Sequence, residues 1–261
     1  MKLRKRINKR HIPSLFTLIN MFLGFLAILS IVDGYHIRGA YLIIAAGVFD
    51  VLDGKLARKL YGGSEFGSEL DSLADLVSFC LAPAVLIWML YARDLHPILG
   101  ALIAGAPLYF GALRLARYNV GQQIQSRHYY AGLPTTINAV TVVAMVFYYE
   151  AQGHSGAAKV VLPIAMALSF LMVSHIRYAK FPNFTFHAGR LNSLKVLFAF
   201  ALLAALPVFG GRILLPITVL YVLHGLLRWL TRSDAETALP QRDLPEESLS
   251  GTFGPSIEKK D

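Results

Sequence analysis

Long apolar runs separated by short polar connections make up most of this chain. Each run holds about twenty residues, which is the length of helix that crosses a hydrocarbon core of about 30 Å. The pattern predicts eight membrane-spanning helices, at residues 14–33, 39–60, 71–92, 96–118, 134–150, 158–176, 192–208 and 212–230. The last two runs are close together, so a re-entrant hairpin is the alternative for this pair. We therefore expect an all-α integral membrane protein.

Composition supports this fold class. Hydrophobic residues make up 55% of the chain and charged residues only 16%, whereas soluble domains carry about 25% charged residues. The first apolar run is not expected to be a cleavable signal peptide, because it is about twenty residues long and no small-residue cleavage pattern follows it. The single cysteine, Cys80, lies in an apolar run, which excludes an intrachain disulfide and a metal site built on thiolates.

The distribution of Lys and Arg predicts the orientation in the membrane. Six basic residues lie in the first ten positions, and alternate connections after that carry most of the others. Short cytoplasmic loops are the ones that hold such residues, so we expect a multi-pass protein of the cytoplasmic membrane with both termini in the cytoplasm. The net charge of +9 then reflects attraction to anionic lipid headgroups, at about 1 kcal/mol per residue, and not nucleic-acid binding.

The stretch from Phe49 to Asp75 concentrates carboxylates in an otherwise apolar region. Asp50 and Asp53 are three residues apart at the end of the second run, and Asp71 and Asp75 are four residues apart at the start of the third. On helices, each pair shares a face. The glycine-rich turn YGGSEFG between the runs makes the two helices antiparallel neighbours, so we expect the four carboxylates to converge near the cytoplasmic surface.

Four like charges in one small volume near a membrane require a cation to neutralise them. A set of oxygen ligands without His or Cys suits Mg²⁺, Mn²⁺ or Ca²⁺. The alternative is that the aspartates form ordinary salt bridges at the headgroup level with Lys55, Arg58 and Lys59. Glu65 and Glu69 do not share the spacing, and we interpret them as solvated loop charges.

Small and hydrogen-bonding residues lie beside these acids. Gly54, Ala57 and Gly67 allow a ligand or a neighbouring backbone to approach closely. Arg58 and Ser64 can present donors to phosphate oxygens. The alternative for Gly54 and Ala57 is helix packing through small residues. Together with the carboxylates, these residues indicate a metal-bridged diphosphate site.

These eight positions resemble the signature of the CDP-alcohol phosphotransferases: Asp50-x-x-Asp53-Gly54-x-x-Ala57-Arg58, eight residues, then Gly67-x-x-x-Asp71-x-x-x-Asp75. The resemblance implies an integral-membrane enzyme, commonly a homodimer with six core helices. Such an enzyme cleaves a CDP-linked donor, transfers the phosphoryl-alcohol part to a hydroxyl acceptor and releases CMP. It also implies that Asp50, Asp53 and Asp71 are metal ligands, and that Asp75 is both a ligand and the base.

This chemistry fits what the residues can supply. Phosphoryl transfer depends on positioning and on neutralising the diphosphate, for which two ions of Mg²⁺ or Mn²⁺ would serve. A carboxylate at Asp75 could remove the proton of an acceptor hydroxyl.

Four further stretches resemble the bacterial and archaeal phosphatidylserine synthases of the membrane-embedded type. They are IPSLFTLINMFLGFLAI from Ile12, RLARYN from Arg114, YYAGLPTTINA from Tyr129 and LMVSHIRYAKF from Leu171. The resemblance covers residues 12–181 and implies CDP-diacylglycerol as the donor and L-serine as the acceptor.

Five residues outside the signature are candidates for binding these substrates. Ser14 and Thr17 are candidates for the nucleotide, although Ser14 stands where Asn commonly follows the proline. Arg114 and Arg117 are one helical turn apart and could bind the serine carboxylate or a phosphate oxygen; the alternative is that they anchor headgroups. Asn119 is a third candidate for serine, with a helix C-cap as the alternative.

The sequence thus predicts four parts: a basic N-terminus at 1–11, a six-helix catalytic core at 12–181, two additional transmembrane helices at 182–231 and a disordered cytoplasmic tail at 232–261, which has too few apolar residues to form a core. Glycerol phosphate, inositol phosphate and choline remain alternative acceptors. An ion transporter is a further alternative, but its acids should lie near the membrane midplane in broken helices.

Overall fold

Helices form nearly all of the described structure. The computed structural model describes residues 12–61, 65–120, 129–150, 156–179 and 211–231. Within these ranges the elements are α1 (Ile12–Val32), α2 (His36–Tyr61), α3 (Glu65–Asp75), α4 (Ala82–Ile87), α5 (Pro97–Ala104), α6 (Ala106–Val120), α7 (Thr135–Glu150), α8 (Ala157–Val173) and α9 (Leu214–Leu230), with π-helical segments at Leu76–Leu81 and Trp88–Ala92 and strands β1 (Tyr129–Ala131) and β2 (Arg177–Ala179).

All six predicted core helices are helical in the structure, and so is the predicted helix at 212–230. The fourth, predicted as one helix at 96–118, is two helices with a bend of 41° between them. The predicted helix at 192–208 lies outside the described residues. The third helix begins at Glu65 and not at residue 71, so Gly67 lies within a helix and not in a turn. The apolar pattern did not reveal this beginning, because α3, with the sequence EFGSELDSLAD, is largely polar.

By length and composition, two of the described helices can each cross a membrane, at Leu15–Val32 and Phe66–Ala92. Helices α5 and α6 would make a third span together, with a bend of 41° between them. Helices α8 and α9 are apolar but shorter. Helix α2 is long enough to cross, but its second half carries acidic and basic residues. These apolar helices are those of a membrane protein.

The helix from Glu65 to Ala92 runs without a break but contains two π-helical segments. Its first π-helical segment begins directly after Asp75, and the backbone N–H of Ala82 donates to the carbonyl of Val77, five residues earlier. Such wide turns are rare inside α-helices and occur frequently at functional sites. This one lies at the end of the segment that carries Asp71 and Asp75.

Helix α1 packs closely against this first π-helical segment. A Cβ atom at Gly24 would lie 2.8 Å from the Cα atom of Ser78, so glycine is needed for the two backbones to approach. The Ser78 hydroxyl donates to the carbonyl of Asn20 at 3.0 Å. The opposite face of α1 is an exposed apolar stripe that includes Leu15, Phe22 and Leu29, as expected of a helix that faces lipid.

A short antiparallel ribbon, which the sequence pattern did not predict, closes one end of the helical bundle. Tyr130 of β1 pairs with Tyr178 of β2. Gly132 has a φ of 77°, and a Cβ atom there would overlap the carbonyl oxygen of Met172. Its N–H donates to the carbonyl of Ile176 at 2.9 Å. The ribbon is thereby fixed to the end of α8.

Candidate active site

Three carboxylates from helices α2 and α3 lie close together. Asp50 and Asp53 lie on one face of α2, and Asp71 faces them from α3. Each of the three offers a carboxylate oxygen, and these oxygens all lie within 4.8 Å of one another. Asp53 is the most enclosed of the three, with only 3% of its surface exposed. The predicted convergence of these three residues is therefore present.

The arrangement fits a hard divalent cation. Both carboxylate oxygens of Asp53 and one of Asp71 are buried and have no hydrogen-bond partner of good geometry among the described residues. The Thr17 hydroxyl and the Gly54 backbone amide are close to Asp53 and stabilise its charge. Buried charges are stable when they are paired or bind metal. A set of carboxylate oxygens is the donor set that Mg²⁺ and Mn²⁺ prefer.

Asp75 lies beside this trio and not within it. It is one turn beyond Asp71 and interacts electrostatically with all three carboxylates of the trio. It also interacts with the guanidinium group of Arg114, and one of its oxygens is buried with no hydrogen-bond partner in the described ranges. Asp75 is thus the carboxylate that connects the trio to a cationic side chain.

Arg114 faces the site from the middle of α6. Its Nη1 atom donates to the Thr135 hydroxyl at 3.5 Å, which is a long hydrogen bond. Its Nε atom is buried and has no hydrogen-bond partner within the part of the chain that the structure describes. Asp75 and the ring hydroxyl of Tyr130 are close enough to interact with the guanidinium electrostatically. The donors of Arg114 are therefore only partly used by the protein itself.

Arg117 follows Arg114 by one turn but is directed elsewhere. Its Nη1 atom donates to the carbonyl of Val173 at 2.9 Å, and the bond is exposed. This contact holds the end of α6 against the end of α8. Both arginines were expected to face the site, but in the structure only Arg114 of the two does so.

Asn119 joins α6 to α3. Its Oδ1 atom accepts a hydrogen bond from the Ser72 hydroxyl at 3.1 Å, and its Nδ2 atom donates to Glu69 at 3.0 Å. Asn119 lies in the last turn of α6, and residues 121–128 lie outside the described structure, so the C-cap alternative for Asn119 is not tested. The interpretation of Glu69 as a loop charge is wrong, because Glu69 belongs to α3 and accepts this bond.

The structure describes only part of the candidate phosphate-binding set. Gly54 follows Asp53 in α2, Gly67 precedes Asp71 by one turn in α3, and Thr17 faces Asp53 from α1. Outside the described residues lie Ser64 and the side chains of Ser14, Lys55, Ala57, Arg58 and Lys59. The roles predicted for these residues stay predictions, as does the salt-bridge alternative.

Asn20 is a polar residue of α1 that was not among the predicted site residues. It is fully buried, and neither polar atom of its side chain has a hydrogen-bond partner among the residues that the structure describes. It lies one turn after Thr17 on α1. The spacing of the two residues places them on one face of the helix, and this local signal could have identified Asn20.

The chain is similar to a known protein family and to several named proteins. A family model described as CDP-alcohol phosphatidyltransferase matches residues 10–171. A protein of Helicobacter pylori named CDP-diacylglycerol–serine O-phosphatidyltransferase is 32% identical over 226 residues, which are 84% of this chain and 90% of that protein.

Two further relatives carry related names. A Bacillus subtilis protein, also named CDP-diacylglycerol–serine O-phosphatidyltransferase, is 38% identical over 69% of this chain and 94% of its own length. The archaetidylserine synthase of Methanothermobacter thermautotrophicus is 34% identical over 65% of this chain and 70% of that protein. The similarity thus extends across bacteria and archaea.

Proposed function

Because this chain belongs to the CDP-alcohol phosphatidyltransferase family, we propose that it transfers the phosphatidyl group of CDP-diacylglycerol to the hydroxyl of L-serine, giving phosphatidylserine and CMP. The observation that carries this proposal is the carboxylate trio, with Asp75 placed between that trio and Arg114. The names of the bacterial relatives support serine as the acceptor.

The donor end of the site is formed by α1, α2 and α3. Asp50, Asp53, Asp71 and Asp75 hold two divalent cations, Mg²⁺ or Mn²⁺. When bound, the cations neutralise the diphosphate and stabilise the charge that develops on the leaving phosphate. The diphosphate and nucleotide lie against the remaining predicted residues, which are Gly54, Ala57, Arg58, Ser64, Gly67, Ser14 and Thr17.

The acceptor end is formed by Asp75 and Arg114. Asp75 accepts the proton of the serine hydroxyl, and the serine oxygen forms a bond to the phosphorus that bears the diacylglycerol. The phosphorus–oxygen bond to CMP breaks, CMP leaves with the bridging oxygen, and the proton on Asp75 passes to water. Arg114 binds the serine carboxylate. Arg117 and Asn119, each engaged with a neighbouring helix, hold α6 in place for this contact.

The protein crosses the cytoplasmic membrane several times, with both termini and the active site in the cytoplasm, and it acts as a homodimer. The excess of Lys and Arg in the N-terminus and in alternate connections supports this orientation. A cytoplasmic site at the membrane surface allows a water-soluble amino acid to meet a lipid donor. The family resemblance is the support for the dimer.

An acceptor panel tests the proposed function. Purified protein in detergent is given CDP-diacylglycerol, Mg²⁺ or Mn²⁺, and one acceptor at a time: L-serine, glycerol phosphate, inositol phosphate or choline. CMP release and the mass of the lipid product are measured, with Asp71→Asn as the inactive control. We expect rapid release with L-serine only. Far faster release with a phosphorylated acceptor would refute serine as the substrate.

A further inference from the structure

A group of tyrosines from distant parts of the chain lies beside Arg114. Tyr130 belongs to β1, Tyr178 to β2 and Tyr221 to α9. Tyr221 interacts electrostatically with both other tyrosines and with Arg114, and Arg114 interacts with Tyr130 and with Asp75. The tyrosines therefore adjoin the acceptor end of the site.

Backbone geometry fixes the arrangement of this group. The rings of Tyr178 and Tyr221 are stacked, with centroids 5.7 Å apart and planes 20° apart. A Cβ atom at Gly225, one turn after Tyr221, would overlap the Tyr178 ring, so this glycine admits the ring against α9. The strand register places Tyr130 directly opposite Tyr178.

Ordinary core packing explains the stacked rings, but it does not explain why polar atoms are buried there without hydrogen-bond partners in the described structure. The Tyr178 side chain is fully buried, and its hydroxyl has no hydrogen-bond partner in the described part of the chain. The Nε atom of Arg114 is also buried without such a partner. Burial of a polar atom without a partner is unfavourable. Arg114, Tyr130 and Tyr221 are only partly buried, so a small polar ligand can reach them.

We propose that Arg114, Tyr130 and Tyr221 form the acceptor subsite and recognise both charges of a free α-amino acid. This inference rests on the proposed function. Arg114 binds the carboxylate through charge-assisted hydrogen bonds. The two tyrosines bind the ammonium group through their hydroxyl oxygens and ring faces. Tyr178 is a positioning residue, because it fixes the ring of Tyr221 by stacking.

The position of Tyr221 in the chain has a consequence for specificity. Strand β2 and helix α9 both lie beyond residues 10–171, the region that the family model matches. The carboxylates that carry the phosphoryl chemistry lie inside that region. Part of the selectivity for the acceptor is therefore supplied by a helix outside the shared catalytic core.

The first test removes a single hydroxyl. Tyr221→Phe keeps the stacked ring but loses one hydrogen bond to a charged group, so we expect the KM for L-serine to rise by roughly 10-fold or more. The kcat and the KM for CDP-diacylglycerol should stay within about twofold of wild type, because the donor end is untouched. Tyr109→Phe is the matched control, since Tyr109 is an exposed tyrosine on α6.

The second test separates the two charges of the acceptor. Serine methyl ester lacks the carboxylate, and N-acetylserine lacks the ammonium group. Tyr221→Phe should reduce the preference for L-serine over N-acetylserine and leave the preference over the methyl ester unchanged. Arg114→Gln should do the reverse.

The outcomes distinguish the two proposals. A wild-type enzyme that releases CMP without any dependence on L-serine would overturn the proposed function, and the subsite with it. A serine-dependent wild type whose KM for serine is unaffected by Tyr221→Phe would overturn the subsite alone.

Discussion

Replacement of Asp53 by Asn is expected to make the metal-free protein more stable while it abolishes phosphatidyl transfer. Both effects have one cause. Folding brings the carboxylates of Asp50, Asp53 and Asp71 within 4.8 Å of one another, at a place where Asp53 is only 3% exposed to solvent. The asparagine keeps the shape of the side chain and removes its charge, so the repulsion and the metal affinity are lost together.

The magnitude follows from the distance. At 4.8 Å and an effective dielectric constant of about 20, two unit charges repel by about 3.5 kcal/mol. Asp53 takes part in two of the three pairs, so the substitution removes about 7 kcal/mol of gross repulsion. Side-chain rotation and counter-ions offset most of it. We expect a net gain of at least about 1 kcal/mol, or about 2–4 °C in the unfolding midpoint for a chain of about this size.

Thermal unfolding in detergent is measured with excess chelator and with excess Mg²⁺ or Mn²⁺. The first condition gives the stability of the metal-free protein, and the difference between the two gives the stabilisation by the metal. The divalent cation should raise the midpoint of wild type, because it binds the folded state, and should not raise that of Asp53→Asn. Asp94→Asn is the control, since Asp94 is an exposed aspartate away from the trio. A lower midpoint for Asp53→Asn than for wild type in chelator would contradict the reasoning.

Three further outcomes are expected. Asp75→Asn should lower kcat by about 10²-fold, which is typical for the loss of a general base, in a CMP-release assay; an unchanged kcat would rule out this role. Excess chelator should stop CMP release and Mg²⁺ or Mn²⁺ should restore it, whereas full turnover in chelator would exclude a metal-dependent reaction. Gly24→Ala should destabilise the fold by about 1–3 kcal/mol in a thermal unfolding assay, because its Cβ would lie 2.8 Å from the Ser78 Cα atom. Gly47→Ala, whose Cβ would meet no atom closer than 3.6 Å, should change stability little, and equal losses for both variants would contradict this packing argument.

The carboxylate trio could be predicted because its geometry is mostly local. Asp50 and Asp53 share a face of any helix that contains them, and a short connection between α2 and α3 brings Asp71 opposite. The directions of Arg114 and Arg117 could not be predicted in this way. Residues three apart on a helix have neighbouring Cα positions, but long side chains reach different partners. Arg117 finds the carbonyl of Val173, which only the packing of α8 supplies.

The ribbon and the tyrosine group could not be predicted because both depend on contacts between distant segments. A three-residue strand such as β1 has no periodicity to recognise, and its pairing with β2 depends on how α8 ends. The sequence does not distinguish Tyr221 from other aromatic residues of an apolar helix. Only the packing of α9 against β2 places it in the tyrosine group. The basic N-terminus at 1–11, the predicted helix at 192–208 and the tail at 232–261 lie outside the described residues and stay predictions.

The π-helical segment at Leu76–Leu81 accommodates one extra residue within a long helix. Each residue of an α-helix advances the chain by about 100° around the axis, and each residue of the wider π turns advances it less, so six π-helical residues rotate the chain about as far as five α-helical ones. A deletion of one residue within this segment would therefore restore regular winding and leave Asp71 and Asp75 facing the same way. A deletion within the regular turns of Ala82–Ile87 would instead rotate Asp71 and Asp75 by about 100° relative to the part of the helix beyond it. Natural variants of this span should therefore tolerate a change in length within the π-helical segment better than one in the regular helix.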